Sequence, residues 1–223
     1  MRVWNVILVA VLAGTATPVL LHHQVHGVLS PVQLVLAFFL WLNVIIALWE
    51  LCLFFRIDRI EAEHTRMRHT YRGREITRIK DFMRSEVPAG RLLSPTLWAG
   101  IWSSYSLFDE SYASKKSFGF FVDVGNGFTT LVPSLLFLHQ MTFQQLPARA
   151  LGIVGLLLFY QMWYGTVVYL GSYFLNRRHV GRPLWHVAVI VVVLNGLWLT
   201  FPLLGIYASI SMIYSSSYAM FMS

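Results

Sequence analysis

The sequence predicts an all-α polytopic membrane protein: one transmembrane domain over residues 1–223, a five-helix bundle with an interfacial aromatic segment and a basic cytoplasmic loop. Composition is the first reason. With 57% hydrophobic, 15% aromatic and only 12% charged residues, and a mean hydropathy of +0.60, the chain is too apolar for a soluble domain of 223 residues. Five apolar stretches, at about 3–21, 31–55, 119–141, 149–174 and 184–207, reach the roughly 20 residues a helical span needs. The 17 basic residues supply the third reason. If the N-terminus is cytoplasmic, every one except Arg149 falls on the cytoplasmic side, a strong positive-inside bias that also favours an odd number of spans. The net charge of +7 then reads as a topological signature and an attraction to anionic membrane lipids, with no nucleic-acid partner implied.

The first span follows Arg2 and ends near Ala13-Gly-Thr-Ala16, features shared with signal peptides; retention as a helix is expected over removal. The second carries Glu50 beside Trp49, with Asn43 two turns earlier and the lone cysteine, Cys52, close behind. One cysteine excludes an intramolecular disulfide and any multi-cysteine metal site. The 56–118 loop begins with arginines mixed with Asp and Glu and with Ile57, Ile60, Met67, Ile76, Ile79, Phe82 and Met83. That pattern suits one or two amphipathic surface helices, and equally a solvated, salt-bridged extension. From Ser94 the loop turns aromatic, with Trp98, Trp102, Tyr105, Phe108, Tyr112, Phe118, Phe120 and Phe121, as expected of a re-entrant or interfacial segment.

The third span contains Asp123 within Gly119-Phe-Phe-Val-Asp123-Val-Gly125-Asn126-Gly127, where small residues permit close helix approach and cavity lining. The fifth carries Asn195 and Trp198, three residues apart on one helix face. An ionised carboxylate in hydrocarbon costs at least a few kcal/mol, so Glu50 and Asp123 are expected to approach each other or a common interior cavity. Glu50 can also simply bond a neighbouring helix, and Asn195 and Trp198 can be ordinary packing. Asp109-Glu110-Ser111 suits capping better than catalysis. His22, His23 and His26 invite a metal reading, but no acid or cysteine lies near in sequence; no metal and no cofactor is expected.

The stretch Trp102-Ser-Ser-Tyr105-Ser-Leu-Phe-Asp109-Glu-Ser-Tyr112, with Asp123 eleven residues on, resembles the emopamil-binding protein family, the sterol Δ8–Δ7 isomerases of the EXPERA domain. Tyr164-Gly165 with Tyr169, Gly181-Arg-Pro183-Leu184 and Asn195-Gly-Leu-Trp198-Leu-Thr-Phe-Pro202 resemble that family's last two helices in order and nearly in spacing. The likeness covers about 98–206 and, weakly, Trp49-Glu50. It implies an intramembrane cavity for a sterol- or terpenoid-like lipid. Glu50 and Asp123 would be the catalytic acid/base pair, with Trp49, Trp102, Tyr105, Tyr112, Tyr164, Asn195 and Trp198 lining the ligand. Shifting a ring double bond needs a proton donor, carbocation stabilisation and a base. Two buried carboxyls and an indole ring could supply these. The isomerases carry a His one turn before the first acid, where this chain has Ile46, and a Glu where it has Asp123; the loop is also longer here.

Two functions follow. One is a lipid-binding membrane protein, with double-bond isomerisation as its chemistry. The other is a non-catalytic accessory subunit of a larger membrane complex, favoured by the uncharged tail from Tyr207 to Ser223. A homodimer is compatible with either.

Overall fold

The computed structural model describes residues 1–223 and is all-α, without a strand. Seven helices make it up: α1 (Val3–His26), α2 (Pro31–Thr70), α3 (Glu75–Arg84), α4 (Pro95–Tyr105), α5 (Phe118–Phe143), α6 (Ala148–Leu175) and α7 (Leu184–Ser215). Five of them, α1, α2, α5, α6 and α7, are long and apolar enough to cross a membrane. These are the five stretches read from the sequence, each extended by a few residues or more at one or both ends. The chain is therefore a multi-pass helical membrane protein.

The largest difference from the sequence reading lies in α2. It continues fifteen residues past the apolar run, and its 40 residues would extend about 60 Å, twice the hydrocarbon thickness. The backbone leaves helical geometry once, at Arg56 (φ −126°, ψ 16°), the first charge after the exposed Phe54 and Phe55. Beyond it the helix is polar on its outer side. The basic loop is thus helical, as α2's extension and the amphipathic α3, whose Phe82 is buried. Val3 N–H donates to the Ser85 carbonyl at 3.0 Å and Val87 N–H to that of Met1 at 2.7 Å, tying the chain's start to the end of α3.

The chain divides into two compact units. The first comprises Met1–Leu8, Ala47–Phe128 and Val168–Leu194; the second Val9–Ile46, Thr129–Val167 and Asn195–Ser223. The second unit's core is built on Leu36, Phe39, Phe137, Met141, Phe159 and Met212, with Phe39 stacked on Phe201 at 5.5 Å. Three of its helices, α2, α5 and α7, meet at a neutral polar node. Asn43, fully buried, donates to Thr130 Oγ1 at 3.0 Å and Ser134 Oγ at 3.2 Å, and its carbonyl accepts the Trp198 indole N–H at 3.0 Å. Such bonds contribute about 0.6 kcal/mol each on average between membrane helices. The tail folds back on this unit: Phe221 is buried, its carbonyl accepts from His22 Nε2 at 2.8 Å, and Tyr218 donates to the Leu146 carbonyl at 2.8 Å.

In the first unit, Leu53, Ile57, Ala99, Phe120, Tyr173 and Val191 form the core. The aromatic segment expected at the interface is split. Trp102, Phe108, Tyr112 and Phe120 turn inward and are buried, while Phe118 and Phe121 face outward. Inside α7, the turns widen to a π-helix over Val187–Val193, immediately before Leu194 and Asn195.

Candidate functional site

The first unit holds a buried polar cluster at the meeting of α2, α5 and the 106–113 turn. It begins with a glycine. A Cβ on Gly127 would lie 2.8 Å from Glu50 Cβ, 3.1 Å from the Ala47 carbonyl oxygen and 3.3 Å from Leu51 N, so its absence lets α5 lie directly against α2. That approach brings Glu50, 3% exposed, to the Asn126 amide, whose Nδ2 stands 3.0 Å from each carboxylate oxygen. Asp123, one turn earlier on α5, lies within electrostatic reach of Glu50 and hydrogen-bonds the Tyr112 hydroxyl. The two intramembrane acids thus belong to one cluster.

Around them stands an aromatic wall. Tyr112 packs against Trp102 at 5.0 Å and Tyr105 at 5.1 Å, and lies 6.1 Å from Tyr169. The Trp102 indole N–H donates to the Trp49 backbone carbonyl at 2.6 Å, while the Trp49 ring stacks on Trp98 at 5.7 Å. Burial first, and then the nearby Asp123 carboxyl, push the Tyr112 phenol well above the ordinary tyrosine range.

A second layer positions this wall. The fully buried Asp109 caps the 110–113 turn by accepting from Ser111 N–H at 3.0 Å. Its other oxygen accepts from the Tyr169 hydroxyl and from Arg178 Nη1, each at 3.0 Å. Arg178 also reaches Ser172 Oγ at 2.9 Å, and Tyr105 and Tyr169 hydroxyls stand 3.3 Å apart. Arg182 donates to the Leu107 carbonyl. The capping role read for Asp109 is therefore what the geometry shows, with an ion pair added.

Of the residues singled out from the sequence, Glu50, Asp123, Trp49, Trp102, Tyr105 and Tyr112 fall in this unit. Tyr164, Asn195 and Trp198 belong to the other. Tyr164 is 53% exposed and stacks on Tyr160 at 5.8 Å, and Trp198 commits its N–H to Asn43 and packs edge-on to Phe39 at 5.7 Å. Asn126, Tyr169 and Arg178 were not assigned roles from sequence. Asn126 had a usable signal, lying three residues after Asp123 in the glycine-rich stretch. Arg178 had none, because a basic residue between spans reads only as topology. Of the three histidines that end α1, His22 and His26 each set Nε2 on a backbone carbonyl, of Phe221 and Thr142 respectively, and so serve as ties between segments of the second unit.

The fold and site define a multi-pass α-helical membrane protein in which one unit holds a buried acid, Glu50, with a half-buried one, Asp123, beside it. No family model, curated protein or solved structure matches the chain.

Proposed function

We propose that this membrane protein binds a sterol- or terpenoid-like lipid beside the Glu50–Asp123 cluster, as a divergent relative of the emopamil-binding protein family. The observation that carries the reading is a contrast between two ways of holding helices together. In the second unit a neutral amide, Asn43, joins three helices. In the first, two acids stand together, Glu50 buried and Asp123 half-buried, at a higher desolvation cost than any neutral bracket. Helix association alone has no use for that cost, whereas a ligand with a hydroxyl or a cationic centre does. Tyr112, Trp102 and Tyr105 offer ring faces to such a ligand.

The same pair suits a double-bond shift. One carboxyl would protonate an olefinic carbon, the positive charge would sit beside the ring faces, and the other carboxylate would take a proton from the adjoining C–H. Atoms and charge balance with no cofactor. Ile46 leaves this chemistry to the two acids alone. The basic residues favour a cytoplasmic N-terminus. The accessory-subunit alternative keeps its support from the uncharged tail: Tyr218 and Phe221 are tied to their own chain, while Tyr207 and Tyr214 are exposed.

The test is saturable labelling of the purified protein by a photoreactive sterol, competed by unlabelled sterol, with Δ8-sterol isomerisation in heavy water run alongside. Binding that falls in Glu50→Gln and Asp123→Asn while the fold is kept supports the reading; deuterium in the product adds catalysis. Labelling that is not saturable, or is indifferent to both substitutions, overturns it.

A further inference from the structure

Between α2's extension, α3 and α4 lies a cavity of about 550 Å3 that shares no residue with the Glu50 cluster. Its wall carries three guanidinium groups, Arg59, Arg78 and Arg91, against one carboxylate, Glu63. Glu63 is already engaged, accepting from Arg59 Nε at 2.9 Å. Neither Arg78 nor Arg91 pairs with any carboxylate. Arg78 meets only soft partners: its Nε stands 3.0 Å from Met67 Sδ and its guanidinium lies 5.9 Å from the Phe82 ring centre. Its terminal nitrogens are left for another acceptor. Thr96 adds a hydroxyl donor to the same wall. Two uncommitted planar forks and a hydroxyl match the oxygens of a phosphate better than any other common group.

Depth in the membrane narrows the source of that phosphate. Phe55, 60% exposed, ends the apolar run of α2, and Arg59 follows four residues later, about 6 Å along the helix. The headgroup layer is about that thick on each side of the hydrocarbon. Leu93, two residues beyond Arg91, is 95% exposed, a side chain suited to acyl chains and poorly suited to water. A basic cavity at this level with an outward leucine at its edge fits a lipid headgroup.

We propose that the cavity binds the phosphate headgroup of an anionic glycerophospholipid, with Arg78 and Arg91 on the phosphate oxygens and Leu93 among the acyl chains. The experiment titrates the purified full-length protein, by thermophoresis in detergent, with dioctanoyl phosphatidic acid, dioctanoyl phosphatidylcholine, glycerol 3-phosphate and inorganic phosphate. Saturable binding of phosphatidic acid, weakened about tenfold by Arg91→Gln or Arg78→Gln and unchanged by Arg72→Gln on the exposed turn outside the cavity, is the expected result. Arg91 lies on an exposed turn, so its variant is decisive even if Arg78→Gln disturbs the fold; unchanged affinity in Arg91→Gln overturns the proposal. Phosphatidylcholine bound equally well removes the anionic requirement, and free phosphate or glycerol phosphate bound as tightly as the lipid removes the lipid. Equal weakening by Arg72→Gln reduces the effect to general charge. Any of these three results also overturns it.

Discussion

Replacing Asn126 by leucine removes the one amide that meets Glu50 while keeping side-chain volume nearly constant. Glu50 is 3% exposed, so water cannot take over as partner. An abandoned buried polar group costs about 1–3 kcal/mol, and interhelical hydrogen bonds in membranes average about 0.6 kcal/mol with a maximum near 1.7. A loss of about 1–2 kcal/mol is therefore expected for Asn126→Leu. Removing both partners leaves nothing unpaired, so Glu50→Leu with Asn126→Leu should be close to neutral, giving a coupling equal in size to the sum of the two single losses and opposite in sign. Reversible unfolding in mixed micelles with increasing dodecyl sulfate, followed by tryptophan fluorescence, measures all four corners of the cycle. A single-variant loss below about 0.5 kcal/mol, or strictly additive single losses in the double variant, would refute the assignment of Asn126 as the holder of Glu50.

Four further outcomes are expected. Gly127→Ala drives a Cβ against the Ala47 carbonyl and Leu51 N, backbone atoms that cannot move aside, and should destabilise by about 1–3 kcal/mol; at Gly125 an added Cβ meets nothing within 4 Å, so Gly125→Ala should cost nothing in the same unfolding assay. Asp109→Asn keeps the turn's shape but leaves Arg178 without its anion, and should lower stability by about 2 kcal/mol, less than for a fully buried pair because Arg178 is 20% exposed. Tyr112 resists ionisation because its folded pKa stands well above the usual 10.0, so its contribution is fully present below that pH and is lost as pH rises past it; spectrophotometric titration should find one fewer late-ionising phenol in Tyr112→Phe. In a Cys52→Ser background, a cysteine placed at His23 should label from the exoplasmic side; labelling from the cytoplasmic side alone would reverse the orientation proposed from the basic residues.

Much of the fold could be read before any coordinates, because a bilayer accepts few backbone solutions. An apolar run of twenty or more residues must satisfy its own N–H and C=O groups, and a helix is the way to do so within one segment. The five spans follow from that rule. Their ends are less legible, since α2 runs on past Phe55 by changing its outer surface from apolar to charged without losing its hydrogen bonds. The helical character of the basic loop was one of two readings open, since arginines mixed with Asp, Glu and isoleucines serve amphipathic surface helices and a solvated, salt-bridged extension alike.

The individual site residues divide along a similar line. That Glu50 and Asp123 are exceptional was plain from sequence, because a carboxyl among apolar neighbours is costly wherever the helix is placed. That they share a cluster in one unit with Tyr112 and Asn126, while Asn195 and Trp198 belong to the other, depended on which helix faces meet. Gly127 decides the first, since only a missing Cβ lets α5 reach the backbone of α2. The three hydrogen bonds at Asn43 govern Trp198, fixing its indole as a structural donor. Sequence by itself thus determined what is expensive to bury and how many times the chain crosses, both properties of single segments in their solvent. The partners of each buried group were decided only by tertiary structure, because a hydrogen bond between helices requires two faces to meet at about 3 Å, a distance set by packing and not by position along the chain.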